Sequence, residues 1–336
     1  MNMRIETLRG FACLLLVIYH VVGADSSYGL LVEGGPVRWL NDGLAYLRMP
    51  LFTFLSGLVY GMRPFGGDSR AFLTGKARRL LIPMLIVGTV FALLQALTPG
   101  TNSTQGPWYL LHLQPVGHFW FVESLFWVFL VIWALERWHL IRDIKGFVLV
   151  LAAACTLYLT TRGWPWLGID GAIYLTPYFL AGLAFSRFPL TPRLANPWLR
   201  LGLAALAIVA VASMGMPVPN PDRRTAAMLL AGISLCVLSL GLGLVIAPLA
   251  RIGRHSYAIY LFHVFFTASA RIGLDLLKVD YLPLDILLGV TLGLAGPIAI
   301  ARIASRFKWP ALLLLGKSVK GGNPPGPGRD RLVLAG

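Results

Sequence analysis

Apolar positions in this chain gather into long runs separated by short polar gaps. The runs cover, to within a few residues, 7–24, 43–62, 80–98, 119–135, 146–161, 171–187, 199–216, 226–248, 255–274 and 281–301. An α-helix needs about 20 such residues to cross a bilayer, and several of the runs fall a little short of that. The pattern predicts an all-α integral membrane protein with about ten transmembrane helices. Inside a bilayer, helices are the elements that satisfy their own backbone hydrogen bonds. The first run could pass for a signal peptide, but Arg9 and His20 lie in or beside it and nine further runs follow.

Composition strengthens this picture. The chain is 57% hydrophobic and only 13% charged, with a mean hydropathy of +0.72. Soluble chains are usually about 45–50% apolar and about 25% charged. A water-soluble enzyme is excluded. Ten spans use roughly 200 residues, which leaves too few for a separate soluble domain of ordinary size. Residues 1–308 therefore read as one membrane domain. Residues 309–336, with their Gly- and Pro-rich segment 321–328, read as a cytoplasmic tail that is largely disordered.

The net charge of +15 points to nucleic acid only if it forms a basic surface on a soluble module. Its distribution gives a different answer. With the N-terminus placed in the cytoplasm and ten spans crossed, alternate loops divide the 29 Lys and Arg residues 22 against 7 in favour of the cytoplasmic side. That asymmetry predicts cytoplasmic N- and C-termini and a lipid bilayer, with no nucleic acid, as partner. Cys13, Cys155 and Cys236 sit inside apolar runs without metal-binding spacing, so they read as packing residues and no metal is expected.

Ionisable residues within apolar runs are costly and mark candidate sites. Arg9 and His20 are eleven positions apart, about 20° beyond three full helical turns, so they share one face about 16 Å apart along the axis. They would form one polar line across most of the bilayer. Arg9, near a helix N-terminus, suits a phosphate; His20 suits a general base acting on a hydroxyl. A snorkelling arginine and a hydrogen-bonded core histidine are the blander alternatives. Lys76, Arg78 and Arg79 form a basic cluster at the start of the third run, either an ordinary anchor or part of a phosphate site that Arg251 and Arg254 could extend. Glu123 lies at a depth comparable with His20 and needs a partner, for which His20, His118 and Arg48 are candidates; a purely structural ion pair is the alternative. His263, near the middle of the ninth run, reads equally as a core histidine or a substrate contact. Ser56 with Gly57 reads as helix packing. The uncharged segment from Pro99 to Gly117 is either a binding surface or a polar loop. Trp108, Tyr109, Trp164 and Trp166 suit an interfacial belt or sugar stacking.

In this order the segments resemble the membrane-bound acyltransferase 3 family. The matching elements are Arg9 through His20, Met49 through Gly57, Arg79 through Pro83, Gly117 through Phe121, Tyr178 through Gly182, and Ser256 through His263. The resemblance spans about residues 4 to 300. It implies an O-acyltransferase that moves an acyl group, commonly acetyl and sometimes succinyl, from cytoplasmic acyl-CoA. The implied acceptor is a hydroxyl of an extracytoplasmic glycan or lipid-linked saccharide, and the implied location a bacterial inner membrane. Arg9 and His20 match the family's hallmark pair, and Arg78 and Arg79 its basic motif. The expected roles are then His20 and Glu123 in catalysis, Arg9, Arg78 and Arg79 on the donor, and Arg48 and His118 on the acceptor; the role of Glu123 comes from its position alone. The rival is a transporter or flippase of a lipid-linked saccharide. It accounts for ten helices and buried charges, but not for the Arg9–His20 spacing beside a basic cluster.

Overall fold

The computed structural model describes residues 2–23, 28–99, 101, 106–213, 224–279 and 281–318. Among them are thirteen α-helices, three short 3-10 turns and no strand. The helices are α1 (Met3–Val22), α2 (Gly35–Gly43), α3 (Ala45–Met62), α4 (Ser69–Leu97), α5 (Trp120–Arg137), α6 (Ile144–Thr160) and α7 (Ile169–Arg187). They continue with α8 (Pro197–Ser213), α9 (Ala226–Gly241), α10 (Ala247–Gly253), α11 (Ser256–Leu276), α12 (Leu282–Ala304) and α13 (Lys308–Leu315). Each of the ten apolar runs coincides mainly with one helix: α1, α3 to α9, α11 and α12. By length and composition, α1, α4, α5 with its preceding turn, α11 and α12 are long and apolar enough to cross a membrane, while α6, α8 and α9 are shorter apolar helices.

Helix starts differ from the apolar runs where a polar cap decides. The helix of the third run begins at Ser69, well before position 80, because the Asp68 side chain accepts the Ala71 N–H at 2.9 Å. Asp143 caps α6 through the Gly146 N–H at 2.7 Å, and Thr225 caps α9 through Met228 at 3.1 Å. The run 226–248 is not one helix. It breaks after Gly241, and α10 restarts at Ala247 with Pro248 in its first turn. Part of the expected tail is also ordered. In α13, Ala311 and Leu315 are buried, and Gly316 ends the helix in the left-handed conformation at φ 63°. Its carbonyl accepts from Arg78 Nε at 3.3 Å. Residues 319–336 of the tail lie outside the described residues.

Glycines let the helices approach backbone to backbone. On α3, a Cβ at Gly57 would stand 2.0 Å from the Phe179 carbonyl oxygen; on α7, one at Gly182 would stand 1.9 Å from that of Phe54. Ser186 Oγ closes the same seam by donating to the Leu58 carbonyl at 2.5 Å. A second seam joins α1 to α10, where a Cβ at Gly10 would be 1.8 Å from the Leu249 oxygen and one at Gly253 1.9 Å from the Glu6 oxygen. The first seam fixes α3 and α7, two walls of the cavity described next. The second fixes the Arg9 end of α1.

Candidate active site

A cavity of about 970 Å³ opens at one end of the bundle. It is lined by the C-terminal parts of α1, α4 and α11 and by the N-terminal parts of α3, α5, α7, α9 and α12. Such alternation follows when successive helices run in opposite directions. His20 lines this cavity, together with Arg48, His118, Trp120, Asp170 and Tyr174.

Three imidazoles from three separate parts of the chain meet here. The ring of His20 on α1 lies 4.6 Å from that of His263 on α11 and 5.9 Å from that of His118, just before α5. His118 and His263 are 5.0 Å apart, all distances between centroids. Carbonyl neighbours fix two of the tautomers, because a carbonyl oxygen can only accept. His263 Nδ1 lies 2.8 Å from the Ile259 oxygen and 2.9 Å from that of Tyr260, so Nδ1 carries the hydrogen and Nε2 the lone pair. His118 Nε2 donates to the Leu261 oxygen at 3.3 Å, which leaves the lone pair on Nδ1. Both lone pairs are buried and have no hydrogen-bond partner. Among the described residues, no group of three or more His, Cys, Asp or Glu side chains is arranged to hold a metal ion.

Charged side chains elsewhere on the wall are engaged with aromatic rings, backbone carbonyls or one another. The Arg48 guanidinium sits 4.2 Å above the Tyr19 ring centroid and donates to the Asn41 carbonyl. It therefore reaches the cavity with part of its hydrogen-bonding capacity already used. Asp170 pairs with Arg224 through Oδ2, and its Oδ1 has no partner. Trp164 lines the same space, as do Thr98, Thr101, Pro115 and Gly117 from the polar segment after α4. Residues 102–105 of that segment lie outside the described residues.

Two features differ from the expectations. Glu123 is buried, but none of the five ion pairs among the described residues includes it. It faces the start of α7, where a Cβ on Gly168 would meet its Cγ at 3.2 Å. The structure thus joins His20, His118 and Arg48 in one cavity and does not pair Glu123 with any of them. Nor is the polar line along α1 open. Cys13 and Leu16 lie on the face between Arg9 and His20 and both are buried; the cavity's lining on α1 begins at Leu16. Arg9 pairs with Glu6 at 3.2 Å and does not line the cavity.

The opposite end of the bundle is basic. Arg254 lies against Met3 at 3.8 Å, and Arg78 holds the Gly316 carbonyl. Tyr257 donates to the Arg79 carbonyl, and Lys317 donates to Ser305 at 2.6 Å. Burial, then Arg302, Lys317 and Arg254, hold the His255 pKa below its usual value. Arg78 and Arg79 therefore lie at the end of α1 that carries Arg9, away from the cavity.

The fold and the site define an integral membrane protein of helices with a histidine-lined cavity at one end and a basic face at the other. The chain belongs to the acyltransferase 3 family: the family's acyltransferase domain matches residues 2–302. It is a membrane acyltransferase. Neither the curated proteins nor the solved structures contain a significant match.

Proposed function

We propose that the protein is an O-acyltransferase, taking an acyl group, acetyl or succinyl, from cytoplasmic acyl-CoA to a hydroxyl of a glycan or lipid-linked saccharide outside the cytoplasm of a bacterial cell. The supporting observation is that α1 carries His20 into the cavity at one end and Arg9 to the basic face at the other. In this reading α1, α3 to α9, α11 and α12 span the inner membrane, and both termini are cytoplasmic. The alternating helix ends around the cavity and the 22-to-7 division of basic residues support that arrangement.

Arg9, Arg78 and Arg79 hold the donor's phosphates, because guanidinium groups match phosphate oxygens in charge and geometry. Passage of the acyl-bearing arm to His20 requires Cys13 and Leu16, now packed, to give way. Arg48 and His118 contact the acceptor, and Trp120, Trp164 and Tyr174 offer aromatic faces to a sugar ring. His20 takes the acceptor hydroxyl's proton as the oxygen attacks the thioester. A transporter would share the membrane helices and the cavity but would transfer no acyl group.

The test is labelled acetyl-CoA supplied to membrane vesicles containing wild type or His20→Ala at matched expression. Label is expected in the envelope polysaccharide or lipid fraction with wild type, and a loss of roughly 100-fold or more with His20→Ala, the range of a general base. Equal labelling by both would remove His20 from the mechanism. No label from acetyl- or succinyl-CoA with native acceptor present would favour the transporter.

A further inference from the structure

Burying a hydrogen-bond acceptor without a donor is costly, and His263 Nε2 is such an acceptor in a side chain that is 0% exposed. Its position leaves few donors to choose from. Three side-chain rings surround it: His20 at 4.6 Å, His118 at 5.0 Å and Tyr260 at 6.3 Å. Two of these have already committed their hydrogens. The neutral His118 ring gives its single N–H to the Leu261 carbonyl, and Tyr260 gives its O–H to the His118 carbonyl. Arg48, a cation on the cavity wall, is turned onto Tyr19 and the Asn41 carbonyl. Of these four groups, the N–H of His20 is the one with no hydrogen-bond partner among the described residues.

We infer that His263 is the positioning residue for His20, its Nε2 accepting the N–H of the His20 nitrogen that turns away from the acceptor. This inference rests on the acyl-transfer reading and deepens it. The His20 and His263 rings now meet edge to face at 65°. His20 borders the cavity, so its ring has space to turn that N–H onto Nε2, whereas His263 is held by its two carbonyls. A histidine base needs its second nitrogen fixed so that one tautomer presents a lone pair to the substrate, a task often given to a carboxylate. Glu123 does not reach His20, and His263 takes its place as a neutral partner.

The proton balance is closed. The acceptor O–H proton passes to the outward nitrogen of His20 as the oxygen bonds to the acyl carbon. The carbon–sulfur bond breaks, and the same proton then leaves on the thiolate to give the free thiol. Throughout, the inner N–H of His20 stays on His20, hydrogen-bonded to His263.

Two variants separate this role from simple packing. His263→Leu fills the space without an acceptor, while His263→Gln can return a carbonyl oxygen near the Nε2 position. Acyl transfer and ¹⁵N-histidine NMR would be measured on the full-length protein in lipid nanodiscs, with acetyl-CoA and succinyl-CoA as donors. His263→Leu is expected to lower kcat roughly 10- to 100-fold, less than the roughly 100- to 10,000-fold that a general base itself contributes, with donor KM unchanged. His263→Gln should recover most of that loss. The His20 ring should show one tautomer in wild type and His263→Gln, and a mixture in His263→Leu. Wild-type kcat with an unaltered His20 tautomer in His263→Leu would overturn the inference. So would equal losses in both variants accompanied by equal falls in thermal stability. If wild type transfers no acyl group at all, the acyl-transfer reading fails, while the NMR still shows whether His263 sets the His20 tautomer.

Discussion

The two ends of the bundle treat charge in opposite ways. At the cavity end, the described cations are largely neutralised: Arg38 pairs with Asp42, Arg224 with Asp170 and Arg271 with Asp275. Arg48 and Arg162 donate to backbone carbonyls. At the other end, the described residues pair only Arg9 and Arg187 with carboxylates, Glu6 and Glu136. Arg4, Arg78, Arg79, Arg254 and Arg302 have none within ion-pair distance among the described residues. The proposed proton-transfer site is thus surrounded by paired charges and imidazoles, two of whose buried nitrogens have no partner in the structure. The face proposed to hold the anionic donor keeps cations without carboxylates beside them. The cavity should therefore act on kcat and the basic end on KM.

The strongest test of this contrast is structural. If the α3–α7 seam holds the cavity walls, Gly182→Val should leave no folded protein, because its Cβ would enter the Phe54 carbonyl, 1.9 Å away. On α8, Gly202→Val should be tolerated, since nothing lies within 4 Å of a Cβ there. The measurement is the yield of monodisperse protein after detergent extraction. Normal yield from Gly182→Val would mean that the seam can separate, and the cavity would then not be a fixed feature of the bundle.

The sequence showed the elements better than their meetings. Apolar runs located ten helices because hydrophobicity is written along the chain, and the Arg9–His20 spacing marked α1 because a helix has a known period. The grouping of His20, His118 and His263 could not be read in the same way. It depends on which helix lies beside which, and no single-helix periodicity contains that. Glu123 illustrates the limit: depth alone suggested a partner in His20, His118 or Arg48, but rotation about α5 turns it toward Gly168. The break before α10 and the helix α13 were hidden inside or beyond apolar runs, where the deciding features were Gly241, Pro248 and the buried Ala311 and Leu315.

A smaller effect would sharpen the division between the ends. Replacing both basic side chains, Arg78→Ala with Arg79→Ala, should raise the KM for acyl-CoA roughly 10- to 100-fold, with kcat changed less than about 3-fold. Losing a hydrogen bond to a charged group costs about 1.5–3 kcal/mol, and every 1.4 kcal/mol is tenfold in affinity. The Tyr257 contact uses the Arg79 backbone and survives the change, whereas the Arg78 bond to the Gly316 carbonyl is lost, so thermal stability is measured beside steady-state kinetics in vesicles to separate binding from unfolding. A fall in kcat at unchanged KM would break the comparison, since the basic end would then be acting on the chemical step.

The smallest expected effect concerns Glu6, the carboxylate paired with Arg9 among the described residues. Its side chain is almost fully buried, yet Oε2 has no partner, while Arg9 remains 24% exposed and 3.2 Å from Oε1. A pair with one partly exposed partner contributes modestly, on the order of 1 kcal/mol or less. It nonetheless offsets positive charge where the donor's phosphates would bind. Glu6→Gln keeps the shape and removes that charge, so the KM for acyl-CoA should fall roughly 2- to 5-fold. That change should shrink as salt is added and the Debye length falls below about 8 Å. A rise in KM would reverse the assignment: Glu6 would then be holding the Arg9 guanidinium in its binding orientation, and the loss of aim would outweigh the gain in charge.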